Sequence, residues 1–86
     1  MRFKRSAEKQ FGDLPPKARK ELAPKIDELT QNPRPNGVEK LKGYRDLWRI
    51  RWGNYRVIFT GPDSEGVIRI LKVADRREAY RGLGSL

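Results

Sequence analysis

The segment LWRIRWGNYRVIF, residues 47–59, decides the fold. Its first half alternates strictly between apolar and basic residues, as a half-buried β-strand does. One face of that strand carries Trp48, Ile50 and Trp52, and the other carries Arg49 and Arg51. The Gly-Asn pair at 53–54 has glycine first, which is typical of a two-residue type II′ hairpin turn. The segment therefore predicts an antiparallel hairpin whose returning strand spans residues 55–59.

Toward the C-terminus, the sequence predicts a further strand, a polar segment and a tail. Residues 61–66 are rich in turn formers and precede an apolar strand at 67–73. Residues 75–81 are polar and long enough for one or two helical turns. The last residues, 82–86, predict a loose tail. The hairpin and the strand at 67–73 together form a three-stranded meander.

Toward the N-terminus, the pattern becomes helical. Residues 2–5 predict a short edge strand, and Ser6 is a suitable cap for a first short helix. After a break at 12–16, apolar residues recur at helical spacing. These residues are Ala18, Leu22, Ile26 and Leu29. Pro24 lies within this stripe and predicts a kink or two short helices, and residues 32–37 end the helix.

The order strand, helix, helix, meander predicts one α+β domain that spans residues 1–86. In this fold, a helical hairpin packs on a mainly antiparallel, twisted sheet of about four strands, and a short C-terminal helical turn follows. The two tryptophans face the helices as core residues, and base stacking is their less favoured alternative role. The arginines between them then project from the opposite face of the sheet.

The composition excludes several kinds of chemistry. The chain has 86 residues, no cysteine and no histidine, which excludes disulfides, thiolate zinc sites, cysteine nucleophiles and histidine general bases. No apolar run exceeds four residues, so we expect neither a membrane-spanning helix nor a secretory signal, and we expect a cytoplasmic location. Twenty Lys and Arg against eleven Asp and Glu leave a net charge of +9, which favours a nucleic-acid partner over a merely solvating surface.

The predicted sheet brings cations together with one aromatic ring. This set consists of Arg49 and Arg51 on one strand, Arg56 across the hairpin, Arg76 after the last strand, and Tyr80 one helical turn later. Further cations flank it: Lys40, Lys42, Arg45, Arg77 and Arg81. Cations that converge with an aromatic ring fit a phosphate backbone with a stacked base. The alternatives are that the arginines only decorate an open sheet face, or that a protein partner covers them.

Three blocks of the sequence resemble the RelE/ParE superfamily of bacterial and archaeal toxins. They are KLKG at 40–43 with LWRIR at 47–51, NYRVIF at 54–59, and VADRREAYR at 73–81. The resemblance extends over about residues 1–81. It implies a microbial RNase-like fold and a toxin of a type II toxin–antitoxin pair.

The resemblance also implies an activity. Relatives on the RelE branch enter the ribosomal A site and cut the mRNA there without a metal or other cofactor. The ribose 2′-hydroxyl attacks the adjacent phosphate, which leaves a 2′,3′-cyclic phosphate and a free 5′-hydroxyl. The family's catalytic positions correspond to Arg49, Arg51, Arg56, Arg76 and Tyr80, and the flanking cations Lys40, Lys42, Arg45, Arg77 and Arg81 are expected to bind RNA.

The sequence departs from part of the family at the position of the general base. Some relatives have lysines on the first hairpin strand, or a histidine before Arg76, where this chain has Asp75. Arginine stays protonated and is a poor base. Asp75 or Glu78 could accept a proton, or could simply pair with Arg76 or Arg77, so the base stays open. Two other functions also stay open: a ParE-like toxin that poisons DNA gyrase, and a non-catalytic basic module that binds RNA or protein.

The expected partners are an acidic antitoxin and the ribosome with mRNA in its A site. A surface of net charge +9 predicts an acidic, extended, RelB-like antitoxin chain. That chain would cover the arginine face or displace the C-terminal segment around Tyr80. We expect the toxin alone to be monomeric and to form larger complexes through the antitoxin. No membrane association is expected.

Overall fold

A computed structural model of the chain describes residues 1–34 and 37–86. The elements are β1 (Arg2–Phe3), α1 (Arg5–Gly12), α2 (Pro16–Glu28), β2 (Val38–Lys40), β3 (Trp48–Trp52), β4 (Tyr55–Thr60), β5 (Arg69–Asp75) and a 3₁₀ turn (Leu83–Ser85). The two helices lie on one face of a single sheet, which confirms the α+β prediction. Among these residues, no helix has the length and apolar character needed to cross a membrane.

The sheet has five strands in the order β1-β5-β4-β3-β2, one more than the approximate count from the sequence. The unexpected strand is β2, which pairs antiparallel with β3. It has only three residues, too few for an alternating pattern to identify it. The terminal strand β1 pairs in parallel with β5, and the remaining pairs are antiparallel.

The hairpin forms as predicted. Trp52 pairs with Tyr55 across the two-residue turn, and the strands then remain in register up to Trp48 and Phe59. Gly53 has a φ of 54°, in the left-handed region that the first position of a type II′ turn favours. The register decides which side chains share a face, because directly paired residues of an antiparallel ladder project to the same side.

The main core lies between the helices and the sheet. Leu22, Ile26 and Leu29 pack with buried sheet residues, and the half-buried Trp48 and Trp52 pack against this cluster. The tryptophans are therefore core residues, as expected. Burial of Leu22, Ile26 and Leu29 contributes about 1.5–3 kcal/mol for each side chain.

Helix α2 continues through Pro24 as one element, so of the two predicted outcomes, a kink or two short helices, the division into two helices is wrong. Pro24 and Lys20 are both exposed, so water can solvate the Lys20 carbonyl that loses its hydrogen bond. Leu22 and Ile26, on either side of the proline, are buried and keep both halves packed on the sheet. Helix α1 begins at Arg5, after a Lys4 cap without a side-chain hydrogen bond, so the predicted Ser6 cap is wrong.

Two charged side chains attach loops to the sheet: Arg34 in the segment after α2, and Asp46 in the loop before β3. The Arg34 guanidinium lies 3.6 Å from the Trp48 ring centroid and donates to the Gly61 carbonyl at 2.9 Å. Asp46 accepts hydrogen bonds from Trp48 Nε1, Thr60 Oγ1 and the Gly61 amide. Pro35 and Asn36, which belong to the predicted helix stop, lie outside the described residues.

The opposite face of the sheet carries a second, smaller core. Ile58 packs there with Leu41 and Leu83, and Leu47 lies against them. Leu83 is 6% exposed and begins the 3₁₀ turn, so the prediction of a loose tail at 82–86 is wrong for this residue. The C-terminal segment, residues 76–86, is therefore docked on the arginine side of the sheet. Its first part, residues 76–82, forms turns rather than an α-helix.

Candidate nucleic-acid site

The centre of the site is Arg49, which bridges two side chains from distant parts of the chain. Its Nη1 donates to the hydroxyl of Tyr80 at 2.6 Å, and its Nη2 donates to Oε2 of Glu39 at 2.6 Å. Glu39 is the direct cross-strand partner of Arg49, so both side chains project to the arginine face. Tyr80 belongs to the docked C-terminal segment.

The electrostatics of this triad favour a permanently charged guanidinium. The Arg49 side chain is 22% exposed. Burial acts to lower the pKa of Arg49, but its hydrogen bonds to Tyr80 and Glu39 outweigh that effect and raise the pKa from its usual value. Arg49 therefore acts as a fixed positive charge rather than as a proton carrier.

Arg51 and Arg56 are direct cross-strand partners on this same face, yet their environments differ. Arg51 is exposed. Arg56 is 7% exposed, and its Nη1 donates to the carbonyls of Gly53 at 3.0 Å and Tyr55 at 2.8 Å. The structure thus places the Arg56 guanidinium against the backbone of the hairpin turn, rather than open on the face as the sequence suggested.

Arg76 is exposed at the hairpin end of the sheet. Its amide donates to the Asn54 carbonyl at 2.7 Å, which attaches the end of β5 to the hairpin turn. A recess of about 270 Å³ lies here, lined by Asn54, Tyr55, Asp75, Arg76 and Arg77. Arg76 and Arg77 bring two positive charges to the lining of this recess, and Asp75 brings one negative charge.

The two acidic residues that the sequence offered as proton acceptors have other partners. Asp75 Oδ1 accepts from the amides of Arg77 and Glu78, at 2.9 and 3.1 Å, and so caps the turn that follows β5. Glu78 pairs with Arg81 at 3.7 Å, rather than with Arg76 or Arg77. Both pairings are exposed, and both carboxylates serve the local turn structure.

The expected RNA-binding cations are distributed over more than one surface. Arg77 and Arg81 are exposed in the segment that carries Tyr80, and Lys42 and Arg45 are exposed in the loop before β3. Lys40 pairs with Trp48, and Trp48 faces the helices. The register therefore places Lys40 on the helix side of the sheet edge, away from Arg49.

A candidate site residue that the sequence reasoning missed is Glu39. Its signal was the alternation of Val38, Glu39 and Lys40, which identifies a strand only once its partner β3 is known. Within residues 1–34 and 37–86, no three acidic side chains lie close enough together to hold a metal ion.

Known proteins share both sequence and fold with this chain. Residues 1–80 match the family model described as ParE toxin of type II toxin-antitoxin system, parDE. A relative from Methanocaldococcus jannaschii, named "Putative toxin RelE1", is 33% identical over 76 residues, which are 85% of this chain and 84% of the relative.

Solved structures agree with this match. The RelB-RelE antitoxin-toxin complex from Methanococcus jannaschii contains a chain that superposes with a TM-score of 0.76 at 26% identity, covering 91% of this chain and 93% of that one. A chain of the archaeal RelE-RelB complex from Pyrococcus horikoshii OT3 gives 0.75 at 32% identity, covering 91% and 94%. A chain of the intact E. coli RelBE complex gives 0.75 at 27% identity, covering 85% and 90%. The sequence match and the shared fold together place this chain in the ParE toxin family of type II toxin–antitoxin systems, within the RelE/ParE superfamily.

Proposed function

We propose that this toxin is a ribosome-dependent endoribonuclease that cuts mRNA in the A site. The observation that carries the proposal is the triad of Arg49, Tyr80 and Glu39. It combines a fixed cation with a hydroxyl on an aromatic ring and a carboxylate, and the cation is hydrogen-bonded to both of them. These are the groups that phosphodiester cleavage by a neighbouring 2′-hydroxyl needs.

Each member of the triad has a role in the proposed reaction. The Glu39 carboxylate accepts the proton of the 2′-hydroxyl as the O2′–P bond forms. Arg49 stabilises the negative charge on the phosphorane, and the exposed Arg51 and Arg76 supply further positive charge nearby. The Tyr80 hydroxyl accepts a hydrogen bond from Arg49 and keeps its own proton, which it donates to the leaving 5′-oxygen as the P–O5′ bond breaks.

The openness of the site supports the dependence on the ribosome. Tyr80 is 39% exposed, Arg51 is exposed on the sheet face, and Arg76 is exposed at the hairpin end of the sheet. An open face of this kind holds a flexible RNA strand by charge, and does little to align the 2′-oxygen with the scissile P–O5′ bond. In-line alignment contributes several kcal/mol to such reactions. A second surface has to supply it, and the ribosomal A site is the one we propose.

The decisive experiment is primer extension on an mRNA in a purified translation system, with and without ribosomes. We expect cuts within A-site codons that require both ribosomes and toxin. Glu39→Gln is expected to reduce the cleavage rate by about 10²- to 10⁴-fold. Glu21→Gln, an exposed carboxylate on α2, is the matched control and should cleave at the wild-type rate. Intact mRNA with folded wild-type toxin would refute the proposal.

We propose further that an acidic, RelB-like antitoxin neutralises the toxin. The relatives described above were solved as RelB-RelE complexes, and a net charge of +9 complements an acidic chain. Such a chain would cover Arg49 or displace the docked segment that carries Tyr80. Light scattering should show a monomeric toxin alone and a larger assembly with antitoxin. If the triad stays accessible and active in the complex, this mode of neutralisation is wrong.

Two observations favour a second candidate, a toxin that poisons DNA gyrase. The family model that matches residues 1–80 is that of the ParE toxins. The turned-in Arg56 guanidinium also leaves fewer free cations than the sequence suggested. Gyrase-linked DNA breaks in cells that express the toxin, together with intact mRNA, would favour this candidate over cleavage.

A further inference from the structure

Lys72 is a half-buried cation at the centre of the arginine face, and the proposed reaction does not use it. It lies on β5 and pairs with Ile58 of β4, whose side chain belongs to the second core. Its Nζ donates to the carbonyl of Glu78 at 2.6 Å and to the carbonyl of Arg81 at 2.6 Å. Both acceptors belong to the docked C-terminal segment.

These two carbonyls lie on either side of Tyr80 in the chain. The Glu78 carbonyl also accepts from the Arg81 amide at 3.2 Å, and a carbonyl oxygen has a second lone pair with which it can accept from a cation. Charged donors form hydrogen bonds about twice as strong as neutral ones. One ammonium group that bonds both carbonyls therefore restricts the backbone on both sides of the tyrosine.

The C-terminal segment has other attachments near Tyr80. Ala79, the residue before it, is fully buried, and its amide donates to the Asp75 carbonyl at 2.9 Å. Leu83 anchors the chain three residues after Tyr80, in the second core. The hydrogen bond from Arg49 holds the hydroxyl end of the ring, which is otherwise 39% exposed. Lys72 adds a charged restraint on the two backbone carbonyls that flank the tyrosine.

We propose that Lys72 is a positioning residue of the site, which holds Tyr80 over Arg49 through the backbone carbonyls of Glu78 and Arg81. Its role in cleavage rests on the proposed function, whereas its hold on the segment does not. Lys72 therefore makes no contact with RNA in this proposal, and its whole effect on the reaction passes through Tyr80.

The hold on the segment is tested first, without any RNA. Hydrogen exchange is measured for wild type, Lys72→Met and Lys72→Arg. Lys72→Met keeps the apolar stem, so we expect exchange at the Ala79 and Arg81 amides to rise at least about tenfold, while the β3–β4 ladder stays protected. Lys72→Arg should restore most of the protection. Lys17→Met, on the exposed side of α2, is the matched control. Unchanged exchange in Lys72→Met would overturn the proposal.

A double-mutant cycle on programmed ribosomes tests whether Lys72 affects cleavage through Tyr80. We expect Lys72→Met to lower kcat about 10- to 100-fold, with KM changed by less than about threefold. In a Tyr80→Ala background the same change should have no further effect. Independent, multiplying losses would overturn the positioning role. If the wild type does not cleave, the proposed function fails, and the catalytic part of this inference fails with it. The hydrogen-exchange result still decides whether Lys72 holds the segment.

Discussion

Replacing Arg56 by methionine separates two roles for this arginine. The sequence assigned Arg56 to the catalytic set, and the structure shows its guanidinium bonded to the Gly53 and Tyr55 carbonyls of the hairpin turn. Arg56→Met keeps the apolar stem and removes both hydrogen bonds. A structural role predicts a less stable protein, and direct contact with RNA predicts a stable but inactive one.

The size of the expected effect follows from the contacts. Two hydrogen bonds from a charged donor contribute about 3–4 kcal/mol at the lower end of their usual range. Arg56 Nε is buried and has no hydrogen-bond partner among the described residues, so methionine recovers about 1–2 kcal/mol of desolvation cost. The net loss in the free energy of unfolding is about 2 kcal/mol. For a domain of this size, that loss lowers Tm by about 8–16 °C.

Urea unfolding followed by tryptophan fluorescence measures this loss, because Trp52 lies next to the turn and Trp48 at the other end of β3. Arg51→Met is the matched control, since Arg51 pairs directly with Arg56 but is exposed, and its stability should change by less than about 0.5 kcal/mol. Cleavage by the folded Arg56→Met variant should fall by less than about tenfold, whereas loss of a group that binds the phosphorane costs about 10²- to 10³-fold. Wild-type stability with abolished cleavage would refute the structural role.

Three further predictions concern other parts of the fold. Asp46→Ala removes the acceptor of three hydrogen bonds, one of them from the amide of the buried Gly61, and should lower the free energy of unfolding by about 1–3 kcal/mol. An unchanged thermal unfolding curve would contradict this. Arg69, with the amides of Val67 and Glu65, lowers the pKa of Asp63 from 3.8 to about 2. The ionised Asp63 therefore stabilises the fold above about pH 4, and this effect is lost as pH falls toward 2. Asp63→Asn should flatten the pH dependence of the free energy of unfolding over that range in urea titrations, and parallel curves would be inconsistent with the ion pair. Leu83→Ala should weaken docking of the C-terminal segment by about 2–3 kcal/mol, which hydrogen exchange should show as faster exchange at the Ala79 amide. Exchange at the wild-type rate there would show that Leu83 does not anchor the segment.

The local elements of the fold were predictable because their signals are local. The hairpin at residues 47–59 depends on side-chain alternation and one glycine, and both lie within a few residues of the turn. The helical stripe that ends at Leu29 likewise depends on spacing along one helix. The effect of Pro24 was not predictable in this way, because packing of Leu22 and Ile26 on the sheet outweighs the lost hydrogen bond.

The candidate site was predictable in its residue types and only partly in its geometry. Alternation along β3 predicted the face on which Arg49 lies, and the resemblance to a toxin family predicted a role for Tyr80. Neither could show that the two side chains meet, because 31 residues separate them along the chain. Alternation also assigned Arg56 to the correct face, yet the direction of its guanidinium depends on the turn carbonyls within reach.

The sequence by itself determined the α+β class, the core face of the hairpin, the basic character of the chain and its membership in a toxin family. Each of these depends on composition, on periodicity or on short blocks of residues. The tertiary structure alone decided that Glu39 pairs with Arg49, that Lys72 and Leu83 hold the C-terminal segment, and that Arg56 closes a turn. These contacts join positions far apart in the chain or select one rotamer among several. They exist only because the packed sheet brings the strands and the C-terminal segment into register.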